Sequence, residues 1–347
     1  MPETLIVTGA NGYVALHVIK EAISRGYRVI GTVRSSSAAD KVLAALPDAS
    51  SQLELVYVTD MTEAESFEKA FTKYPVKAVL NVASPLIHHP KDNKTEILDP
   101  AIKSGIAILE AAQRYGGSSF QRVIHVGSFG ATLDLSKGDA PGKTYSPDDW
   151  NPTTYEEAAA GNEAIGYLGS KVLAEKGIWN WVRDKKPNYD LTVVNPSTVY
   201  GPNLGSIDLS NLNVSAQILW ELVCPSPNPS PYNSMHMGGW VDVRDVAWAL
   251  LAAVQVPEAG GERFLLVSRC HWQLIRDEAR RVLPELQSRI DAGEPGAWKA
   301  ARDTTYDVDG TKAERILGLK YRQLSDCLRD TYLQLLEVEK KQSAVSN

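Results

Sequence analysis

The chain has 347 residues, of which 44% are hydrophobic and 22% are charged. These proportions are typical of a globular protein with a sizeable core, and they exclude collagen-like, coiled-coil and wholly disordered chains. At about 100–200 residues per domain, the length predicts two domains, or one large α/β unit with an appended lobe. The 36 basic and 42 acidic residues give a net charge of −6. That balance argues against nucleic acid or an acidic membrane as a partner.

Cysteine usage and hydropathy indicate where the protein works. Cys224, Cys270 and Cys327 are widely spaced and form no CxxC pair, which favours a thiol-reducing compartment. The apolar pattern starts directly after Glu3, so we expect no signal peptide. The longest nearly continuous apolar stretch, residues 246–256, is much shorter than the ~20 residues that cross a bilayer. We therefore expect a cytoplasmic monomer or homodimer without a membrane partner.

The first 130 residues alternate strand and helix patterns. Short runs rich in Val and Ile predict strands at residues 5–8, 27–33, 53–58, 78–83 and 122–126. Between the first two runs, Ala15, Val18, Ile19, Ala22 and Ile23 follow the spacing of one buried helix face. Strands that are apolar on both faces indicate a parallel sheet covered by helices. Right-handed crossovers then predict an α/β fold with a Rossmann-type doubly wound parallel sheet and a smaller C-terminal substrate lobe.

The second half of the chain is less regular. After a polar, turn-rich stretch at residues 134–161, the pattern predicts a helix at 167–182 and a strand at 191–195. The proline-rich residues 202–237 indicate a loop or lid, followed by a helix at 241–254 and a strand at 263–267. We predict a Rossmann domain over residues 1–200 with later returns near 239–268. The smaller lobe takes residues 201–238 and 269–335, a tail takes 336–347, and we expect residues 339–347 to be frayed.

A glycine turn follows the first predicted strand. Residues 8–15 read TGANGYVA and open the first predicted helix. Gly9 and Gly12 allow a tight turn and let a pyrophosphate approach the backbone at the positive end of the helix, while Ala15 keeps the third position small. This placement predicts a dinucleotide site. An ordinary strand–helix turn is the alternative interpretation.

The ends of the next strands indicate which dinucleotide is bound. Arg34 stands after the second strand, where a protein that prefers NAD would carry Asp or Glu. Its planar guanidinium suits a phosphate, which favours NADP(H), although a solvated surface arginine is the alternative. Asp60 and Met61 follow the third strand, where an Asp commonly accepts from the adenine amino group. The backbone of residues 82–84 is expected to pass under the adenosine ribose.

Three side chains form a candidate catalytic group. Tyr167 and Lys171 are four residues apart and therefore share one face of a predicted helix. A YxxxK pair is common by chance. Here it follows a fifth strand that ends in Gly127 and Ser128, at the edge of the sheet where such folds bind ligands. We therefore predict that Ser128, Tyr167 and Lys171 lie at one ligand site.

Together with NPSTVYGP at residues 195–202 and GWVDVRDVA at 239–247, these motifs resemble the extended short-chain dehydrogenase/reductases. More narrowly, the chain is similar to fungal aldehyde and ketone reductases related to yeast methylglyoxal reductase and to plant dihydroflavonol reductases, over about residues 4–335. The resemblance implies that Tyr167 protonates the carbonyl oxygen as hydride arrives from the nicotinamide, and that Ser128 hydrogen-bonds the same oxygen. Lys171 would hold the nicotinamide ribose and favour the ionised phenol.

The resemblance and the motifs together give the predicted site. The cofactor-binding set is Gly9, Asn11, Gly12, Tyr13, Val14, Arg34, Asp60, Met61, Val82, Ala83, Ser84, Tyr167, Lys171, Pro196, Ser197 and Ser215. The predicted substrate pocket, an apolar cleft between the Rossmann unit and the lobe, is lined by Leu86, Ile87, Phe129, Thr198, Val199 and Trp240. Relatives often carry Ser or Thr in place of Gly127, which predicts a wider pocket beside the carbonyl. Many relatives carry an asparagine in the helix after the fourth strand, where Lys103 stands here, so no fourth catalytic residue is assigned.

The sequence predicts an NADPH-dependent carbonyl reductase for a neutral aldehyde, ketone or keto ester, because no Arg or Lys stands out as an anchor for a charged substrate. One alternative is a nucleotide-sugar epimerase or dehydratase on the same fold. Such enzymes typically have Gly at the position of Ala15 and basic C-terminal groups for the diphosphate. The other is a non-catalytic dinucleotide sensor, which would have lost the Tyr/Lys pair. The six histidines show no metal-chelating spacing, so no metal is predicted.

Overall fold

The computed structural model describes residues 2–84, 90–225 and 238–345, except for the side chains of Arg302 and Val345. The described strands are β1 (Thr4–Val7), β2 (Arg28–Val33), β3 (Leu53–Tyr57), β4 (Val76–Asn81), β5 (Arg122–Val126), β6 (Thr144–Tyr145), β7 (Asp190–Pro196), β8 (Thr198–Tyr200), β9 (Gly239–Asp242), β10 (Arg263–Leu266), β11 (Ser268–Arg269) and β12 (Asp307–Val308). The described α-helices are α1 (Tyr13–Ser24), α2 (Ser36–Ala45), α3 (Glu68–Thr72), α4 (Asp99–Tyr115), α5 (Tyr155–Ala160), α6 (Glu163–Lys185), α7 (Val214–Glu221), α8 (Val243–Gln255), α9 (Trp272–Val282), α10 (Thr311–Leu317) and α11 (Leu324–Val345).

Seven strands form one sheet in the order β10-β7-β5-β4-β1-β2-β3. Every neighbouring pair in this sheet is parallel. In the centre, Leu5 of β1 lies opposite Val29 of β2 and Ala78 of β4. The predicted Rossmann-type α/β fold is therefore confirmed. The strand order reverses between β1 and β4, and doubly wound sheets bind ligands outside the carboxyl ends of their strands at such a point.

The two faces of the sheet carry separate apolar cores. In β1, which is buried throughout, Leu5 and Val7 belong to the core cluster that contains residues of α1 and α8. Ile6 points to the opposite face, into the cluster that contains residues of α4 and α6, because successive strand residues alternate. Ala15 and Ile19 of α1 are fully buried, so the predicted apolar face of this helix packs as expected.

The C-terminal half adds two smaller sheets and a helical cluster. β9 pairs in parallel with β8 and antiparallel with β11, while β6 and β12 form a two-stranded sheet. Residues of α7, α9 and α11 pack into a third apolar cluster around Leu219, Leu328 and Tyr332. Within the predicted return at 239–268, β10 joins the main sheet, whereas β9 lies in the three-stranded sheet. The division into two domains stays a prediction.

Several predicted boundaries move because of caps and packing. The helix expected at 167–182 begins at Glu163, since the Asn162 side chain accepts from the Ile165 N–H. The stretch predicted as a loop or lid at 202–237 contains α7, and residues 226–237 lie outside the described part of the chain.

The tail predicted at residues 336–347 begins inside a helix that packs against the rest of the chain. α11 continues to Val345, Leu336 is buried, and Arg289 forms two hydrogen bonds of 2.7 Å with Glu339. These contacts join distant parts of the chain, so the local sequence does not show them. Within the described ranges, no helix combines the length and the apolar character needed to cross a membrane.

Candidate active site

The glycine turn lies at the carboxyl end of β1. Gly9 has a φ of 63°, and a Cβ atom on this residue would lie 2.9 Å from the Cβ of Ala83. α1 begins just beyond the turn, with Gly12 as its N-cap and no side chain that accepts from its first-turn N–H groups. Such N–H groups can bind an anion. The close backbone approach and the helix end without a side-chain cap fit the pyrophosphate of a dinucleotide.

Two predicted adenosine contacts lie beyond β2 and β3. Arg34 is exposed in the residue after β2, and the neighbouring Ser35 caps α2 by accepting from the Ala38 N–H. The exposed Asp60 accepts from the hydroxyl and the N–H of Thr62, at 2.7 and 2.8 Å. These hydrogen bonds lower the pKa of Asp60, the hydroxyl contributing most, so the carboxylate is ionised at neutral pH.

A buried polar chain connects the glycine turn to β5. The Ala83 N–H donates to Thr8 Oγ1 at 3.0 Å, and the Thr8 hydroxyl donates to Asn81 Oδ1 at 2.8 Å. The Asn81 amide is thereby oriented so that its Nδ2 donates to His125 Nδ1 at 3.0 Å. Burial, with a smaller contribution from the charge of Lys171, lowers the pKa of His125 to about 4. His125 is therefore neutral at pH 7.

The structure brings the three predicted catalytic residues to one edge of the sheet. Ser128 follows β5, whereas Tyr167 and Lys171 lie on α6. The Lys171 Nζ lies 5.2 Å from the centroid of the Tyr167 ring and donates to Ser84 Oγ at 2.9 Å. Ser128 Oγ accepts from the Gly130 N–H at 3.1 Å, which leaves the hydroxyl proton to be donated to another atom.

Ser128 and Tyr167 line the same cavity, whose volume of about 370 Å³ is within the range of small-molecule sites. The other described lining residues are Tyr13, Val14, Val126, Gly127, Pro196, Ser197, Thr198, Val199, Tyr200, Asn213, Val214, Ser215, Ile218, Gly238, Gly239, Cys270, His271, Trp272 and Ile275. None of these described lining residues is an Asp, Glu, Lys or Arg. The walls come from the ends of β5 and β7, from α7, and from the connection between β11 and α9.

Two residues predicted for the substrate pocket, Phe129 and Trp240, do not line this cavity, whereas Thr198 and Val199 do. Phe129 is fully buried and its ring packs against Tyr145, in a cluster outside the cavity. Trp240 is also buried, because alternation along β9 turns it into the helical cluster while Gly239 lines the cavity. Leu86 and Ile87 lie outside the described residues.

Gly127 does not widen the pocket as the sequence suggests. A Cβ atom on this residue would overlap Asn195 Oδ1 rather than project into the cavity. The glycine therefore makes room for the Asn195 side chain, an interaction that sequence reasoning missed.

Sequence reasoning also missed the wall of the cavity formed by Cys270, His271 and Trp272. His271 caps α9, since its Nδ1 accepts from the Gln273 N–H at 3.0 Å. A polar residue before an amphipathic helix was a usable capping signal, but the pairing of β11 with β9 that brings this segment to the cavity was not visible locally. Across the described residues, no group of three or more His, Cys, Asp or Glu side chains could hold a metal ion.

The sheet order and the glycine turn at its switch point define a Rossmann-type dinucleotide-binding class of protein. The sequence profile of the NAD dependent epimerase/dehydratase family matches residues 5–266. The chain belongs to this family, and its resemblance to the extended short-chain dehydrogenase/reductases is confirmed.

Individual relatives match over almost the whole chain. The NADPH-dependent methylglyoxal reductase of Saccharomyces cerevisiae is 31% identical over 343 residues, which cover 97% of this chain and 99% of that protein. A cinnamoyl-CoA reductase of Medicago truncatula is 31% identical over 336 residues, 95% of each chain. The solved structure of yeast methylglyoxal/isovaleraldehyde reductase complexed with NADPH has a TM-score of 0.87 and 30% identity, covering 97% of this chain and 99% of that one. The relatives are thus reductases of different carbonyl compounds.

Proposed function

We propose that the protein is an NADPH-dependent carbonyl reductase that converts a neutral aldehyde, ketone or keto ester into an alcohol. The observation that carries this proposal is that Ser128 and Tyr167 line one cavity, with Lys171 beside the Tyr167 ring. The names of the yeast relative and of its solved structure support it. Bound NADPH would supply the hydride.

The chain's own residues would hold the dinucleotide along the carboxyl edge of the sheet. The turn at Gly9 and Gly12 would hold the pyrophosphate, and Arg34 would bind the 2′-phosphate that distinguishes NADPH from NADH. Lys171 would donate to the hydroxyls of the nicotinamide ribose. The remaining proposed contacts are Asn11, Tyr13, Val14, Asp60, Met61, Val82, Ala83, Ser84, Tyr167, Pro196, Ser197 and Ser215. The Tyr13 hydroxyl already donates to the Gly201 carbonyl at 2.8 Å, so Tyr13 would contact the cofactor through its ring or backbone.

The side chains at the cavity would stabilise the charge that develops on the carbonyl oxygen. Tyr167 would donate its hydroxyl proton to that oxygen as the alcohol forms. Ser128 would donate a hydrogen bond to the same oxygen, because its own oxygen accepts from Gly130 and its proton is directed elsewhere. The Lys171 ammonium would stabilise the phenolate that remains on Tyr167.

The polarity of the cavity favours reduction of a neutral substrate over nucleotide-sugar chemistry. A sugar diphosphate needs cationic groups, and the described lining carries no Lys or Arg. A non-catalytic sensor would not need Tyr167 and Lys171 four residues apart on one helix face.

The test is to follow NADPH oxidation with a panel of simple aldehydes, diketones and aryl keto esters. We expect Tyr167→Phe to lower kcat by about 10²–10⁴-fold, because it removes the proton donor, and to retain NADPH binding. Tyr155→Phe is the matched control, since the Tyr155 hydroxyl donates to Asp99 at 2.6 Å and lies outside the cavity lining. Unimpaired turnover by Tyr167→Phe would refute the proposal, as would epimerisation of a nucleotide sugar without carbonyl reduction.

Cofactor choice needs a separate measurement. Loss of a charge-assisted phosphate contact costs about 1.5–3 kcal/mol, so Arg34→Ala should raise the Kd for NADPH roughly 10–100-fold and leave the Kd for NADH nearly unchanged. Lys41→Ala, which removes an exposed charge from α2, serves as the control. If Arg34→Ala raised the Kd values for NADPH and NADH equally, Arg34 would not bind the 2′-phosphate.

A further inference from the structure

A buried ion pair lies behind Ser128, and the proposed reaction does not use it. Glu175 on α6 is fully buried, and the Arg263 side chain on β10 is 8% exposed. Arg263 Nε and Nη2 donate to the two carboxylate oxygens of Glu175, at 2.6 and 3.1 Å. This is the two-pronged geometry of a strong charge-assisted pair. Neither residue is among those that line the cavity.

Asn195 connects this ion pair to Ser128. Its Nδ2 donates to Glu175 Oε2 at 3.0 Å, and its Oδ1 accepts from the Ser128 N–H at 2.8 Å. A carboxylate can only accept, so Glu175 fixes which end of the Asn195 amide faces it. The carbonyl end must then face Ser128.

Arg263 also holds the chain that follows Ser128. Its Nη2 donates to the Ala131 carbonyl at 3.3 Å and to Thr132 Oγ1 at 3.2 Å. Its Nη1 donates to the carbonyl oxygens of Pro147 and Asp149, both at 2.6 Å. The cluster therefore contacts Ser128 directly through Asn195, while Arg263 holds the chain three and four residues further on.

We propose that Glu175, Asn195 and Arg263 position Ser128 relative to Tyr167, an inference that rests on the proposed catalytic role of Ser128. Tyr167, Lys171 and Glu175 are spaced by four residues along α6, so one helix face carries both the proposed proton donor and the carboxylate that orients Asn195. A shift of α6 would move both together. The relative geometry of the two groups would thus be held by a single helix.

Gly127 provides an independent observation for the same arrangement. Any side chain at this position would overlap Asn195 Oδ1, the atom that accepts from Ser128. A side chain at residue 127 and the Asn195–Ser128 hydrogen bond therefore compete for the same space.

The first test removes the Asn195 amide. We expect Asn195→Ala to lower kcat about 10–100-fold, because small displacements of a reacting group are costly, and to leave the Kd for NADPH within about threefold. Hydrogen exchange at the Ser128 amide should accelerate in the same variant. Thr192→Val is the matched control, since it removes a buried hydrogen bond to the Ala259 carbonyl from the same strand. Its kcat and its Ser128 exchange should match the wild type.

A double-mutant cycle tests the pairing with Gly127. Gly127→Ala should lower kcat by displacing Asn195, and adding it to Asn195→Ala should lower kcat little further. If Asn195→Ala does not fold, kcat, NADPH affinity and exchange in Gly127→Ala decide the question.

Unchanged Ser128 exchange, a kcat equal to that of Thr192→Val, or fully additive effects would each overturn the positioning role. A wild type that reduces no carbonyl compound would refute the proposed function instead. The exchange measurement would then still test the positioning of Ser128.

Discussion

Acidification should destabilise the protein through His125. The ring is buried and its Nδ1 accepts from Asn81, so the folded state holds it neutral with a pKa of about 4. An unfolded chain gives a histidine pKa of about 6.5. Below pH 6.5 the unfolded state therefore binds more protons, and the free energy of unfolding falls as the pH falls from 6.5 towards 4. At about 1.36 kcal/mol per pKa unit, His125 contributes a loss of about 2 kcal/mol at pH 5 and none above neutrality.

The assay is urea unfolding at pH 8 and pH 5, for the wild type and His125→Asn. In His125→Asn, the oxygen of the new side-chain amide can still accept a hydrogen bond from Asn81, but this amide does not bind a proton between pH 8 and pH 5. The variant should be less stable at pH 8, because the smaller side chain leaves a cavity, yet lose about 2 kcal/mol less than the wild type between the two pH values. His17, whose pKa burial also lowers to about 4, is present in both proteins and cancels in the comparison. Equal losses in the two proteins would refute the assignment of His125 as a buried neutral base.

Three further predictions concern Phe129, Gly9 and the end of α11. Phe129→Ala should lower the free energy of unfolding by about 3–5 kcal/mol in urea titrations, yet leave the ratios of kcat/KM among substrates unchanged, because the ring packs outside the cavity. If the ratios of kcat/KM among substrates changed, Phe129 would have to contact the substrate. Gly9→Ala should raise the Kd for NADPH by about tenfold or more in fluorescence titrations, whereas Gly26→Ala, which also has positive φ but open space around it, should not. If both variants lost NADPH affinity to a similar extent, backbone strain alone would explain the effect of Gly9→Ala. Deletion of residues 336–347 should lower the free energy of unfolding by about 2 kcal/mol or more in urea, since it removes a buried leucine and an ion pair. An unchanged urea midpoint would show that these contacts do not stabilise the protein.

The main sheet was predictable because the local sequence of each early strand has a clear strand pattern. Runs of β-branched residues gave β2 and β5 nearly to the residue, and the apolar face of α1 followed from helical spacing. Handedness rules then restrict how such units can assemble. The helix expected from residue 241 begins at Val243, and no strand was predicted at β9, whose four residues are all buried. Since both of its faces are covered, hydropathy could not show that Trp240 points away from the cavity.

The candidate site also combines residues that local motifs predict with residues that only non-local packing brings together. The glycine turn and the Tyr167–Lys171 spacing are local features, so the sequence displays them directly. Cys270 and His271 reach the cavity only through the pairing of β11 with β9, which no short motif specifies. Phe129 lies outside the cavity for a related reason, because its packing partner Tyr145 lies in β6, a two-residue strand within a stretch that the sequence predicts to be turn-rich. What sequence reasoning could not supply was therefore the non-local packing that closes the cavity.

The cluster behind Ser128 is better explained by orientation than by stability. A buried ion pair must recover the cost of removing two charges from water, and replacing such pairs with apolar side chains is often neutral or stabilising. Here Arg263 forms six hydrogen bonds, of which two go to Glu175, two to residues 131 and 132 after the Ser128 turn, and two to residues 147 and 149. An apolar core could fill the same space, but it could not fix which end of the Asn195 amide faces Ser128. In the proposed reaction the Ser128 hydroxyl has to be placed within a few tenths of an ångström of its position beside the carbonyl oxygen. Directional hydrogen bonds can hold it there, whereas apolar packing cannot.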